Sequence, residues 1–74
     1  MRHIKAAQKW QRQLDGCHAR GREAYRQGKL LNENPYRGAT GVQIQRHAAW
    51  LAGWLREQRL RALRRTAEKA QVTI

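Results

Sequence analysis

Small and apolar residues recur at intervals of three and four along the first part of the chain. This spacing places them on one face of an α-helix and predicts a helix over about residues 3–29. The face is bulky where it begins and small where it ends. Its members are Ala7, Trp10, Leu14, Cys17, Gly21, Ala24 and Gly28.

A second helical pattern covers about residues 42–70. Trp50 and Trp54 are four residues apart and share a face, with Gly53 beside them. Glu57 and Arg61 are placed to pair across one helical turn, an interaction worth about 0.2–0.5 kcal/mol. The apolar stripe continues toward the end of this pattern through Leu60, Leu63, Ala67 and Ala70.

The segment between the two patterns, about residues 30–41, contains the only proline of the chain. Asn34 precedes Pro35 and is therefore restricted to extended backbone. Gly38 is typical of irregular structure, and Thr40 is suited to cap the helix that follows. We expect this segment to be a linker between the helices.

The two apolar faces complement each other in size. Gly16, Gly21 and Gly28 each cost about 1 kcal/mol within a helix relative to alanine, so their presence needs a reason. Packing of the bulky Trp50 and Trp54 against small residues of the first helix supplies one. We therefore predict a single all-α domain, residues 1–74, of two antiparallel helices joined by a Pro/Gly-containing linker. The predicted structural core is Gly21, Ala24, Gly28, Pro35, Trp50, Leu51, Gly53 and Trp54.

Charge indicates the class of partner. The chain has 16 lysines and arginines against 5 acidic residues, a formal net charge of +11, and twelve of the sixteen are arginine. The arginine side chain offers phosphate a planar fork of donors, and such an excess favours a polyanion, most often nucleic acid. The predicted RNA-binding residues are Arg20, Arg22, Arg26, Lys29, Tyr36, Arg37, Arg46, Arg56, Arg59, Arg64 and Arg65.

Two interpretations are open for Tyr36. It could stack on an unpaired base, because the linker holds it outside the helices, or it could pack over the helix ends. For Trp50 and Trp54, a place in the core is favoured over stacking on a base, because aromatic residues at helical spacing are usually core.

Residues that could perform chemistry are sparse. Cys17 is the only cysteine, and it lies on the apolar stripe, so it is predicted to be a small buried hydrophobe. Its neighbour His18 points about 100° away around a helix, which does not suit a nucleophile–base pair. The three histidines, His3, His18 and His47, are scattered and lack the spacing of metal ligands. Glycine-rich phosphate loops are also missing. We expect no enzyme activity, no metal and no cofactor, and a cytoplasmic location, because no stretch approaches a signal peptide or a membrane span.

Two further kinds of partner fit the sequence. The arginine-rich amphipathic stretch at 55–70 could dock on acidic lipid or on another protein, although interfacial helices usually carry aromatic residues that this stretch lacks. A chain of this length buries only about 60% of its unfolded surface. Apolar stripes at 60–70 and 4–14 would therefore remain uncovered, and a homodimer is expected.

The order of motifs is similar to that of a known family. The chain contains "HARGREAYRQGK", then "NPY", then "RHAAWLAGW". In this order and spacing, over about residues 17–57, they resemble the ribosome modulation factor family of bacterial hibernation proteins. The matching positions are Gly21, Ala24 and Gly28, then Pro35 and Tyr36, then Trp50, Leu51, Gly53 and Trp54.

This resemblance implies a two-helix protein that binds rRNA on the bacterial ribosome and restrains translation during hibernation. It also implies that the Pro-Tyr joint with Arg37, and the basic helix faces beside it, meet the rRNA. The chain differs in having Asn34 where founding members tend to have cysteine, a longer stretch from Pro35 to Trp50, and an arginine-rich extension from Arg59. Some short relatives have also been proposed to modify antibiotics.

Overall fold

The computed structural model describes the backbone of residues 2–72 and the side chains of residues 7–69. Helix α1 spans Arg2–Arg26, a short 3-10 helix spans Leu31–Glu33, and helix α2 spans Gly41–Val72. The described part of the chain contains no strand, so the predicted all-α class of two helices and a linker is confirmed. Helix α1 ends three residues earlier than predicted, and the linker comprises residues 27–40.

The end of α1 is a capping turn around Gly28. The backbone N–H of Gly28 donates to the carbonyl of Tyr25 at 3.0 Å, and that of Lys29 donates to the carbonyl of Ala24 at 2.9 Å. These two bonds define a Schellman motif, which requires a left-handed residue, and Gly28 has φ 80°. Gly28 is exposed, and a β-carbon added to it would meet nothing within 4 Å. The prediction that Gly28 belongs to the packed face was therefore wrong.

Helix α2 begins with a side-chain cap. The backbone N–H of Gln43 donates to Oγ1 of Thr40 at 3.3 Å. The carbonyl of Thr40 accepts the first helical bond, from Ile44, at 2.9 Å. Thr40 is therefore the N-cap that the sequence predicted, and it satisfies one of the amides that a helix start leaves unpaired.

The contacts between α1 and α2 show that the helices run in the same direction. Trp10 bonds to Gln45, Gln13 bonds to Arg46, and Arg22 bonds to Glu57. As the residue number in α1 rises from 10 to 22, the number of its partner in α2 rises from 45 to 57. In an antiparallel pair the partner's number would fall. The direction thus differs from the expected antiparallel one.

The linker is long enough to connect two parallel helices. Its fourteen residues, 27–40, can span about 46 Å when extended, whereas α1 from Trp10 to Arg26 rises only about 24 Å. The chain therefore turns at the end of α1, returns along the helices, and enters α2 near the end at which α1 began.

Side chains hold the returning linker in place. Nε1 of Trp54 donates to the carbonyl of Lys29 at 2.7 Å. Asn34 is 2% exposed, and its Nδ2 donates to the carbonyl of His47 at 3.1 Å. Its Oδ1 accepts from the backbone N–H of Tyr36 at 3.0 Å. Asn34 is thus the central connection between the linker and α2.

The helices touch at two glycines. A β-carbon on Gly21 would overlap the carbonyl oxygen of Trp50, and a β-carbon on Gly53 would overlap the carbonyl oxygen of His18. Each helix therefore places a glycine against the backbone of the other, which is the close approach expected for Gly21. A β-carbon on Gly16 would meet nothing within 4 Å, so contact between the helices does not explain the glycine at this position.

The core is small and aromatic. Trp50, Trp54 and Ala24 form one buried cluster, and Tyr36 and Leu51 pack against it partly buried. The rings of Tyr25 and Trp54 meet edge to face, with centroids 5.0 Å apart. Burial of both tryptophans confirms their predicted place in the core. Pro35 is exposed and lies outside the buried cluster, contrary to prediction, because Asn34 takes the buried position before it.

Helix α2 extends beyond α1. Arg26, the last residue of α1, reaches Glu57, and the residues of α2 after Arg61 have no helix beside them. From residue 62 to 72 this overhang is about 16 Å long. Its side chains from 62 to 69 are all exposed.

Candidate nucleic-acid interface

Glu57 forms ion pairs with three arginines, of which Arg22 and Arg26 were predicted to bind RNA. Its side chain is buried in α2, with its oxygens 3.2 Å from Nε of Arg22 and 3.2 Å from Nε of Arg26. Nε of Arg61 lies 3.5 Å away, which confirms the predicted Glu57–Arg61 pair. Burial would raise the pKa of Glu57, but hydrogen bonds from Arg26 and Arg22, and the charge of these arginines, hold this pKa below its ordinary value.

This cluster changes the role of two predicted RNA-binding residues. Arg22 and Arg26 join α1 to α2 through Glu57, and Arg26 also reaches Glu23 at 3.4 Å. Hydrogen bonding to Glu57 raises the pKa of Arg26 above its ordinary value. Arg22 and Arg26 therefore stabilise the contact between α1 and α2, and Glu57 neutralises part of their charge.

The linker residues Tyr36 and Arg37 are also bound within the protein. The hydroxyl of Tyr36 accepts from Arg20 at 2.7 Å, and its carbonyl lies 2.8 Å from Nδ1 of His47. Because a carbonyl can only accept, Nδ1 of His47 carries a proton. Arg37 turns back on the linker and donates to the carbonyl of Asn32 at 2.7 Å. Packing of Tyr36 against the core supports the second of its two interpretations.

Arg20 and Arg46 are held from the side. The bond to the Tyr36 hydroxyl raises the pKa of Arg20 above its ordinary value. The guanidinium of Arg46 lies over the ring of Trp10, 5.8 Å from its centroid, and donates to Gln13 at 3.4 Å. Both side chains are thus oriented by neighbours that carry no charge.

Other basic residues make no hydrogen bond or ion pair with any described side chain. On α2 they are Arg56, Arg59, Arg64 and Arg65, all of them exposed. Lys29, near the start of the linker, is also exposed, and its side chain has no hydrogen-bond or ion-pair partner among the described residues. These five residues were predicted to bind RNA, and the structure leaves their charges available to solvent.

Arg12 in α1 was not among the residues predicted to bind RNA. Arg12 lines an open groove of about 430 Å³, together with Arg20 and Arg46. The remaining lining residues are Gln13, Gly16, Cys17 and Tyr36. Spacing could have revealed it, because Arg12 and Arg20 lie four residues before and after Gly16 and so share one row of the helix.

The residues that could perform chemistry remain few in the structure. Cys17 is buried, as predicted, and it is a free thiol. Among the described residues, no three histidine, cysteine, aspartate or glutamate side chains come together as a metal site. The expected absence of enzyme activity stays a prediction.

Together the two helices, the returning linker and the exposed arginines define a small basic two-helix protein. The chain matches no protein-family model, no curated protein and no solved structure. Neither described helix has a stretch apolar and long enough to span a membrane.

Proposed function

We propose that the protein binds structured RNA, most specifically rRNA on the bacterial ribosome, and thereby restrains translation. The observation that carries this proposal is the set of unpaired arginines on α2. Arg56 and Arg59 lie beside the helix pair, and Arg64 and Arg65 lie on the overhang. Cations without protein partners release counterions when they meet phosphate, which supplies affinity that does not depend on sequence.

The distribution of acidic residues supports the same proposal. Glu57 is occupied by three arginines, and Glu23 pairs with Arg26. Glu33 accepts from the backbone N–H of Leu30 and closes the linker turn. These three carboxylates are engaged within the protein, and the five acidic residues of the chain are too few to balance its 16 lysines and arginines. The motif order shared with the ribosome modulation factor family supports the ribosome as the target and hibernation as the setting.

Co-sedimentation with bacterial ribosomes across a salt series tests the proposal. Wild type should bind at low salt and dissociate steeply as salt rises. The double variants Arg56→Gln, Arg59→Gln and Arg64→Gln, Arg65→Gln should each bind more weakly. Where both lost arginines touch phosphate, the logarithmic salt slope should fall by about 2.

A charge-neutral double variant on the same helix is the matched control. Gln58→Ala with Ala62→Gln changes two exposed positions of α2 without altering the charge or the composition, and it should bind as wild type does. Wild type that fails to co-sediment even at low salt would overturn the proposal. A parallel assay of translation in a cell-free extract should show inhibition that the arginine variants relieve.

Self-association is a second part of the proposal. Leu63 is 57% exposed and Leu55 is 48% exposed, on a helix that is otherwise arginine-rich. A second copy of the chain would cover this apolar surface. Sedimentation velocity at micromolar concentration should show a dimer that Leu63→Gln weakens, and wild type that stays monomeric would remove this part.

Docking on acidic lipid is the competing function. The same two leucines favour it, but the described part of the overhang has no aromatic residue to anchor at a membrane interface. Flotation with vesicles of anionic lipid, run beside the ribosome assay at equal salt, separates the two. Flotation without ribosome binding would replace the RNA proposal with a lipid one.

A further inference from the structure

The groove beside Arg12 combines three arginines with no carboxylate. Arg12 and Arg20 come from α1, Arg46 comes from α2, and Tyr36 of the linker closes the wall. Three like charges around one opening repel each other, and none of the lining residues is acidic. Such an arrangement favours an anion that would neutralise them together.

Gly16 forms part of the same groove, and the fold does not explain it. A glycine in the middle of a helix is unfavourable relative to alanine. A β-carbon at Gly16 would meet nothing within 4 Å, in contrast to Gly21 and Gly53, which the helix contact requires. Any side chain at position 16 would instead enter the groove between Arg12 and Arg20, one turn away on either side.

We propose that this groove binds the phosphate of an unpaired nucleotide in single-stranded RNA, and that Gly16 leaves the space for it. This inference rests on the proposed RNA binding and assigns it a site. The three guanidiniums would donate to the phosphate oxygens, as arginine forks do. The nucleotide would lie along α1, where glycine allows its backbone to approach the helix closely.

The size of the groove favours a single strand over a duplex. Its volume of about 430 Å³ falls within the range of roughly 300–1,000 Å³ that is typical of small-molecule pockets. A duplex presents its phosphates on the outside of a broad cylinder and would contact the exposed arginines of α2 instead. Unpaired loops and ends, whose nucleotides can be splayed out, are the usual targets of specific RNA recognition.

Two of the three arginines are already oriented before any ligand binds. Arg20 is fixed by the Tyr36 hydroxyl, and Arg46 by Trp10 and Gln13. Orienting them in advance reduces the conformational entropy lost on binding. Arg12 has no hydrogen-bond or ion-pair partner among the described residues, so its role in the groove can be tested without disturbing a contact of the fold.

A neighbouring pocket provides an internal contrast. It has a volume of about 280 Å³ and is lined by two cations, Arg20 and Lys29, and by two carboxylates, Glu23 and Glu33. The two carboxylates offset the two cations there, so this opening favours a phosphate less than the groove does. Of these two openings beside Arg20, only the groove beside Arg12 lacks an acidic lining residue.

The first test fills the groove without changing charge. Gly16→Gln should raise the melting temperature, because glutamine is the better helix former. It should nevertheless lower the affinity for a short single-stranded RNA at least fivefold by fluorescence anisotropy. Gly41→Gln is the matched control, since Gly41 is also helical with open space beside it, but does not line the groove. This control should bind as wild type does.

The second test removes one guanidinium from the groove. Arg12→Gln should lower the affinity for single-stranded RNA at least threefold more than the affinity for a duplex of equal length. Arg56→Gln removes one unpaired arginine from the outer surface and should lower both affinities by the same factor. If Gly16→Gln proves less stable than wild type, Arg12→Gln decides the question alone.

The outcomes separate this inference from the proposed function. Wild type that binds ribosomes, with Gly16→Gln and Arg12→Gln binding single-stranded RNA as wild type does, would overturn the groove and leave the proposed function standing. Wild type that binds neither ribosomes nor RNA at low salt would overturn both. Selective loss of single-stranded binding in the groove variants supports the assignment.

Discussion

Single residues decide how closely the two helices approach. Gly21 and Gly53 each face a backbone carbonyl of the opposite helix, at distances that exclude even a methyl group. The sequence predicted this for Gly21, because a glycine on an apolar helical stripe needs a packing reason. The same prediction was wrong for Gly28, because that glycine forms a left-handed turn beyond the end of α1.

Alanine substitutions should distinguish the glycines. We expect Gly21→Ala to lower the free energy of unfolding by about 1–3 kcal/mol, because the helices must separate to admit the methyl group. Gly28→Ala should cost about 1–2 kcal/mol through its left-handed backbone. Gly16→Ala should be stabilising. Urea unfolding monitored by circular dichroism gives all three values, and equal stability of Gly21→Ala and wild type would contradict the close contact.

Asn34 is the residue whose importance the sequence did not reveal. Only the structure shows its amide buried between the carbonyl of His47 and the N–H of Tyr36. We expect Asn34→Ala to cost about 1–3 kcal/mol of stability, because it leaves buried backbone groups unsatisfied. Asn34→Asp keeps the acceptor for Tyr36 and loses the donor to His47. A thermal melt in which both variants match wild type would show that the linker is not fixed here.

At the scale of elements, Glu57 joins α1 to α2. The sequence predicted its pair with Arg61, which lies one turn away, since neighbours on a helix follow from spacing alone. Its pairs with Arg22 and Arg26 join residues more than thirty positions apart, and no local pattern contains them. Predicting them would have required the relative direction of the helices, which the apolar stripes do not specify.

The lowered pKa of Glu57 predicts a dependence of stability on pH. A carboxylate whose pKa is lower in the folded state binds protons more weakly there, so it stabilises the fold above its ordinary pKa of 4.5. That stabilisation should be lost as pH falls from about 4.5 through the folded pKa. Chemical denaturation from pH 7 to pH 3 should show this loss in wild type and a smaller one in Glu57→Gln. If wild type and Glu57→Gln lost the same stability between pH 7 and pH 3, Glu57 would not be the cause of the pH dependence.

On the scale of the whole molecule, charge opposes compactness. The molecule measures 56 × 31 × 15 Å and carries a formal net charge of +11. The sequence predicted the charge, the helices and the aromatic core. The course of the linker depends on Asn34 and on the hydrogen bond from Trp54 to the carbonyl of Lys29. Such contacts follow from three-dimensional packing rather than from periodicity.

Removing charge from the overhang should therefore separate binding from stability. Arg64→Gln with Arg65→Gln lowers the net charge from +11 to +9 and breaks no hydrogen bond or ion pair with a described residue. At low salt we expect this variant to melt no lower than wild type, because self-repulsion decreases, while its affinity for ribosomes falls. A melting temperature well below that of wild type would show that the overhang packs against the rest of the protein.

The parallel course of the helices also has a consequence for folding kinetics. Hydrogen bonds between α1 and α2 join residues 31 to 35 positions apart, so no part of the interface can nucleate locally. Closing so long a loop carries an entropy cost before any contact compensates it. In stopped-flow experiments, Asn34→Ala should slow refolding more than it speeds unfolding, because the rate-limiting step must already include the return of the linker.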